Sequence, residues 1–308
     1  MSKFIVTTTI NKPTTATLKY CDIAVKKNWK FVIVGDLKTP HDEYKALEND
    51  NVIYLSPEKQ ESFCKELSDI IGWRTIQRRN IGFVYTYRQG ADLIATVDDD
   101  NIPYENWGDN ILVDKEVEVD IYTNLYSNYF DPISVTNCND LWHRGYPIEC
   151  LNVKNNNEYK GKFKRNVLIQ ADFWDGDPDI DAICRLSKKP IVKFNKFDPF
   201  ASTQLAPFNS QNTFLSRKVL PFYAVLPYIG RMDDIWGSYI TQHYFPNSVV
   251  YNKATVYQER NVQDLIKNME NEVIGYKNTF KLLNDLSNYK SYLPEQTIKF
   301  WESYRNQF

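Results

Sequence analysis

The chain has 308 residues, 43% hydrophobic and 15% aromatic, enough for a sizeable core in one large domain or two modest ones. With 37 Lys and Arg against 39 Asp and Glu, it lacks the strong field of a general nucleic-acid or anionic-membrane binder, although a local basic patch is allowed. Cys21, Cys64, Cys138, Cys150 and Cys184 are odd in number, widely spread and without a C-x-x-C pair, which argues against a disulfide framework or structural zinc and for a reducing compartment. The opening MSKFIVTTTI holds no long apolar run, so the expectation is no signal peptide, no membrane span and a cytoplasmic location.

In chain order, KFIVTTT reads as a strand and TTATLKYCDIAVKK as a helix presenting Leu18, Cys21, Ala24 and Val25. KFVIVGD is a buried strand ending in a turn, and NVIYLS another strand. EKQESFCKELSDIIG places Phe63, Leu67, Ile70 and Ile71 on one helix face and stops at Gly72. RTIQRRNIGFVYTYRQG repeats the pattern with Ile76, Asn80, Phe83, Val84 and Tyr87, stops at Gly90, and is followed by the strand DLIATV. This alternation predicts an α/β fold with a doubly wound, mostly parallel sheet, whose ligands sit outside the carboxyl ends of the strands. Residues 101–212 are less regular: VDIYTNLY and NVLIQADFW read as strands, KNNNEYKGKFKR as a polar loop, and DPDIDAICRLS as a short helix with acids in its first turn. A helix is then expected from Val262, with Val262, Leu265, Ile266, Met269 and Val273 on one face. The preferred division is a domain over residues 1–258 and a helical extension, 259–308, packed on it.

The acids of ATVDDDN carry the most chemistry. Alternate side chains of an extended chain share a face, so Asp98 and Asp100 point together and Asp99 away. Two carboxylates about 4 Å apart repel by roughly 4 kcal/mol at an effective dielectric near 20, and a divalent cation reverses that sign. Mg2+ or Mn2+ accepts one or two carboxylates when phosphates supply the remaining oxygens. The alternative is a solvated acidic turn. Asp36, after FVIVG, suits a ribose or base contact, or equally a turn near Pro40. TTTINKPT, including Thr9 and Asn11, offers hydroxyls and amides that could border a nucleotide. The chain has neither G-x-G-x-x-G after the first strand nor a P-loop.

Arg74, Arg78 and Arg79 precede an apolar helix face. A guanidinium suits a diphosphate, and Arg79 is the expected contact; solvent-facing charge is the expectation for the other two. Asp233 and Asp234 either begin a helix or supply a general base to a sugar acceptor. Histidine is limited to His41, His143 and His243, so an imidazole-built metal site is not expected; His243 is more simply a packed or surface residue than a metal ligand. The aromatics are mainly core, with Trp107, Trp142, Trp174 and Trp236 as candidates for stacking on sugar.

Together, FVIVGD, RRNIGFVYTYRQGADLIATVDDDN, WHRGYPIE, GDPDIDAICRL, PFNSQNTFLSRKVLPF, GRMDDIWGSYITQ and VYQERNVQDLIKNMENEVIGY resemble the STELLO glycosyltransferase family, with a fainter similarity to the reversibly glycosylated polypeptides. The resemblance implies a GT-A fold and a metal-dependent enzyme using a nucleotide diphosphate sugar. It places the metal motif at Asp98, Asp99 and Asp100 and a second acidic motif at Asp233 and Asp234. The resulting expectation is sugar transfer from a UDP-sugar to a glycan, glycoprotein or other hydroxyl acceptor, with inversion if Asp233 or Asp234 is the base. Thr9, Asn11, Asp36, Arg79, Asp98 and Asp99 would bind the donor, Asp98 and Asp100 the Mn2+ or Mg2+, and Asp181, Asn212 and Trp236 would lie on the sugar or acceptor side. A nucleotide-sugar mutase and a non-catalytic scaffold of the same fold are the alternatives.

Overall fold

The computed structural model describes all residues except 189, 196, 261 and 262. Its strands are β1 (Lys3–Thr9), β2 (Lys30–Gly35), β3 (Val52–Leu55), β4 (Leu93–Val97), β5 (Asn101–Pro103), β6 (Glu116–Asn124), β7 (Asn157–Asn166), β8 (Ile169–Gly176), β9 (Phe200–Ser202), β10 (Asn212–Ser216) and β11 (Val249–Gln258). Its helices are α1 (Thr15–Lys26), α2 (His41–Lys45), α3 (Pro57–Ile71), α4 (Arg79–Arg88), α5 (Ala182–Lys188), α6 (Asp233–Tyr244), α7 (Leu265–Asn284) and α8 (Glu295–Arg305).

The strands form one sheet in the order β3-β2-β1-β4-β10-β8-β11-β9-β6-β7, with β5 paired to β11. Following the pairings, β1 to β4, β7, β8 and β11 run one way and β5, β6, β9 and β10 the other. This is the expected α/β sheet, with most strands running one way and helices flanking it. β2 and β4 are buried almost throughout, and β2 is covered by α1 at Phe31 and by α4 at Val34 on the opposite face, which explains its continuous apolar run. Helix α4 sits close over the sheet at Gly82, where a Cβ would come within 2.6 Å of Val6 and 2.9 Å of Val34. That approach fixes the N-terminus of α4, and with it Arg79, above the strand ends.

Three local expectations change. KNNNEYKGKFKR is not a loop but most of edge strand β7, paired antiparallel to β6. It is exposed along nearly its whole length, so it lacks the apolar alternation that marks a half-buried strand, and its lysines suit an open edge. Helix α1 buries Ala16, Thr17, Tyr20 and Ala24, leaving Leu18 and Val25 exposed, because Tyr20 packs its ring on Phe31 and Trp107. Helix α7 buries Glu272, Gly275, Thr279, Leu282 and Leu283, while Ile266 and Val273 face out; Val262 lies outside the described residues. Gly275 provides the space that Met232 fills, so the packed face is marked by small and polar residues rather than by a hydrophobic stripe. Phe300, Trp301 and Tyr304 of α8 join a core cluster with Leu67, Ile71 and Trp236. Among the described residues no helix is long and apolar enough to cross a membrane, and all five cysteines are free.

Candidate active site

The sheet brings distant segments to one edge. β1, β2 and β4 are parallel, so Thr9, Asp36 and the acids after Val97 leave the same side. β10 runs against β4, so Ser210 and Gln211 enter there. β8 and β11 run with β4, so Asp177 to Asp179 and Arg260 also emerge there. Backbone bonds join these ends: Asp98 N donates to Gln211 O (3.3 Å), Glu259 N to Asp100 O (3.0 Å) and Asp177 N to Gln258 O (3.2 Å).

Two cavities open on this edge. A smaller one of about 310 Å3 is bordered by Thr8, Thr9, Asn11, Asp36, Arg74 and Asp99. A larger one of about 560 Å3 holds Asp98, Asp100, Arg144, Asp179, Asp233 and Asp234. Arg74, Thr75 and Ile76 line both. The acidic triplet divides between them in the expected way, Asp99 to one and Asp98 and Asp100 to the other, although it forms a turn closed by Asn101 N on Asp98 O (3.3 Å) and not an extended strand. Asp99 faces the smaller cavity and accepts from Thr9 Oγ1 (2.5 Å) and Asn11 Nδ2 (2.9 Å). Asp98 faces the larger one and is bound by Arg79 Nη2 at 2.5 Å. Burial raises the Asp98 carboxyl, and the Arg79 charge opposes that rise.

Asp100 is unlike its neighbours. Among the described residues its buried Oδ1 accepts no hydrogen bond, and the amide oxygens of Gln211 and Gln258, which line the same cavity, are also without donors. Burial, and then the Asp98 charge, push Asp100 up to about 7, with Arg260 opposing. Unsatisfied buried acceptors are costly, and several in one cavity suit a cation with a preference for oxygen. Among the described residues there is no group of three or more His, Cys, Asp or Glu poised to hold a metal. One or two carboxylates and neutral oxygens fit Mg2+ or Mn2+ when phosphate completes the shell.

The opposite wall is built on Arg144, which the sequence reading left unassigned. It grips Asp179 through Nε (2.9 Å) and Nη2 (3.0 Å), and Asp234 through Nη1 (3.0 Å). Asp234 also accepts from Ser210 N (2.8 Å). Burial would raise both acids, but Arg144 holds Asp234 below the usual carboxylate range and Asp179 well below it. Asp233 has a looser hold: Gln77 Nε2 donates at 2.8 Å, and Arg144 stands 4.0 Å away. Burial, then the Asp234 charge, raise it to about 7. The adjacent acids therefore differ: Arg144 holds Asp234 charged, whereas burial and the Asp234 charge raise Asp233 toward neutrality.

Other predicted residues have different surroundings. Asp36 borders the smaller cavity, but its carboxylate accepts from the backbone of Leu37 (2.5 Å), Arg74 (2.9 Å) and Thr75 (3.0 Å), so it ties down that loop. Arg78 does not face solvent: it is fully buried and bonded to Gln60, Ser68 and Gly72. Arg79 is buried too, and its guanidinium is taken by Asp98 and Ser210, leaving Arg74 as the arginine that borders both cavities. Asp181 accepts from Cys184 N (2.8 Å) at the start of α5 and from Trp142 Nε1, and does not line the cavity; no acid occupies the first turn of that helix. Asn212 links Trp107, Phe173 and Thr255 inside the core. Trp236 is fully buried and donates to Thr279. None of the four candidate tryptophans borders the larger cavity. His243 is exposed near the end of α6, beside Tyr244 and Tyr289.

Comparison with known proteins gives distant relatives. The chain is 22% identical over 206 residues to Probable glycosyltransferase STELLO2 of Arabidopsis thaliana, covering 61% of this chain and 26% of that protein. Probable glycosyltransferase STELLO1 of the same plant is 23% identical over 205 residues, with the same coverage. The chain resembles the STELLO glycosyltransferases. It spans about a quarter of the length of these relatives, 26% in each case. No family model matches. Among solved structures, glucosyl-3-phosphoglycerate synthase from Mycobacterium tuberculosis with Mn2+, UDP-glucose and phosphoglyceric acid is 11% identical at a TM-score of 0.49, covering 90% of this chain and 79% of that one. The same synthase with Mg2+ and UDP gives a TM-score of 0.47 at the same identity and coverage.

Proposed function

We propose that the chain is a metal-dependent glycosyltransferase that moves a sugar from a nucleotide diphosphate sugar, a UDP-sugar, to a hydroxyl of a glycan or similar acceptor. The observation that carries this reading is the shared cavity: Asp98 beside Asp100, whose Oδ1 accepts no hydrogen bond among the described residues, Asp233 raised to about 7, and an adjoining cavity bordered by Thr9, Asn11 and Asp99. Similarity to two proteins named as probable glycosyltransferases supports it.

The smaller cavity receives the nucleoside, and Arg74 reaches the diphosphate where the cavities join. Asp98 and Asp100 would hold Mn2+ or Mg2+, with Gln211 and Gln258 as neutral oxygen donors. Such a cation supplies Lewis-acid neutralisation of the leaving diphosphate. Asp233 takes the proton from the attacking hydroxyl, while Arg144 and Asp234 fix its position and charge. A single displacement assisted by a base on the acceptor side inverts the anomeric carbon. Calorimetry with UDP in the presence and absence of Mn2+ tests the donor site. Metal-dependent binding is the expected result. No binding of UDP, GDP or other nucleotides with Mn2+ would sink the reading.

A further inference from the structure

Among the described residues, the buried guanidinium of Arg260 has no hydrogen-bonded partner at Nε or Nη2. Its side chain is only 6% exposed, and it lines the larger cavity. The acids closest to these nitrogens in ion-pair contact are Asp177, 3.4 Å from Nε, and Asp179, 3.8 Å from Nη2. Each is already committed: Arg185 bonds Asp177, and Arg144 grips Asp179 with two nitrogens while Asn209 Nδ2 donates to it at 2.9 Å. Arg260 is therefore a surplus guanidinium whose desolvated donors lack a fitted acceptor.

A second guanidinium lines the same cavity. Arg231 is bonded through Nε to Glu272 (2.8 Å), its terminal nitrogens have no hydrogen-bond partner among the described residues, and its side chain is 25% exposed. Glu272 is fully buried and also accepts from Ala182 N (2.7 Å) and Tyr276 Oη (2.7 Å), so Arg231 is held by a fixed acid. The turn carrying it cannot shift toward α7. Gly230 has φ +60°, and Asn271 O lies 2.1 Å from where a Cβ would stand. Neither arginine borders the nucleoside cavity.

We propose that Arg260 and Arg231 form an oxyanion subsite and that the acceptor carries a phosphate or carboxylate which docks there. This rests on the glycosyltransferase reading and narrows its acceptor class. Planar guanidinium forks match both oxyanions, and an incoming acid satisfies the Arg260 donors that the protein leaves free. Docking at the cavity wall orients the acceptor hydroxyl toward Asp233, which lines the same cavity. The donor's own phosphate is the other source of an oxyanion, and the experiment separates the two.

Inorganic phosphate is titrated by calorimetry into protein saturated with UDP and Mg2+, so that the donor phosphates are already in place. Wild type binds phosphate. Arg260→Gln and Arg231→Gln each weaken that binding at least tenfold and leave UDP affinity within twofold. The proposal is overturned if loaded wild type does not bind phosphate, or if both variants bind it as wild type does. It is also overturned if Arg260→Gln weakens UDP tenfold and phosphate not at all, because the guanidinium then belongs to the donor. Arg231, at the more exposed position, carries the test if Arg260→Gln does not fold. If UDP and Mg2+ fail to bind, the donor reading fails, and the titration of unloaded protein still reads the subsite.

Discussion

Asp234→Asn separates the roles of the two adjacent acids. Both carboxylates lie within 4.0 Å of Arg144 Nη1, so the contacting oxygens are at most about 7 Å apart. At an effective dielectric near 20, unit charges ~7 Å apart repel by about 2 kcal/mol, equivalent to roughly 1.5 pH units. The substitution removes that repulsion and leaves Arg144 with one competitor fewer, so the Asp233 carboxyl falls from about 7 by about one to two units. The assay is the pH profile of kcat/KM for donor hydrolysis, in which water replaces the acceptor. For a single free-enzyme base the profile rises with pH below the pKa and levels above it. Its midpoint is expected near 7 in the parent and about one to two units lower in Asp234→Asn. Asp233→Asn abolishes the limb and lowers the rate by roughly 10²–10⁴-fold. The stability sign is opposite to that of an ion-paired acid. With a folded value of about 7 against an ordinary 3.8, the native state binds more protons between those values, so Asp233 lowers stability as pH rises through that window. Asp233→Asn therefore melts above the parent at pH 8, and the gap closes toward pH 4. A kinetic midpoint that stays put or moves upward in Asp234→Asn refutes the assignment of the base.

Three further perturbations test separate parts of the site. Asp100→Asn removes the unsatisfied carboxylate and is expected to weaken Mn2+-dependent UDP binding by about 10–100-fold without lowering the melting temperature; unchanged affinity by calorimetry counts against Asp100 as a metal ligand. Arg144→Met strands buried Asp179 and Asp234 and is expected to cost about 3–5 kcal/mol in urea unfolding; a loss below about 1 kcal/mol contradicts the central role given to that guanidinium. Trp236→Phe deletes the donor to Thr279 and is expected to cost about 1–3 kcal/mol with UDP affinity unchanged, whereas a selective loss of donor binding would return Trp236 to the sugar site.

The edge that carries the site is legible in the sequence because two short-range patterns define it. Alternating strand and helix periods predict which ends of β1, β2 and β4 meet; the separation of Asp99 from Asp98 and Asp100 matches the extended-chain expectation in outcome, but a turn after β4 produces it. Burial of charge is less legible. Arg78 reads as solvent-facing and Arg79 as a diphosphate contact, yet both are enclosed, since their partners Gln60 and Ser210 come from other segments. Arg144 pairs with acids 35 and 90 residues away, and no local spacing encodes that. Its neighbour Gly145 was one available signal: at φ +82°, and with Ile235 2.2 Å from a built Cβ, it marks a tight turn against α6. Trp236 and Asn212 mislead for the converse reason. Polar-looking surroundings suggested a ligand site, but each finds its hydrogen-bond partners within the core.

The distribution of counterions links these observations. Asp234, Asp179 and Asp98 have guanidinium partners at hydrogen-bonding distance, whereas Asp100 and Asp233 do not and are both raised to about 7. A core selected only for stability would pair or replace such acids, because uncompensated buried charge is expensive. Here the unpaired acids border the same cavity, together with the unsatisfied guanidinium of Arg260. In the proposed complex, a cation would meet Asp100, a hydroxyl proton Asp233 and an acidic acceptor Arg260. The groups that this reaction would engage are left without a hydrogen-bonded counter-ion among the described residues, and the pairs that the protein completes itself fix their positions.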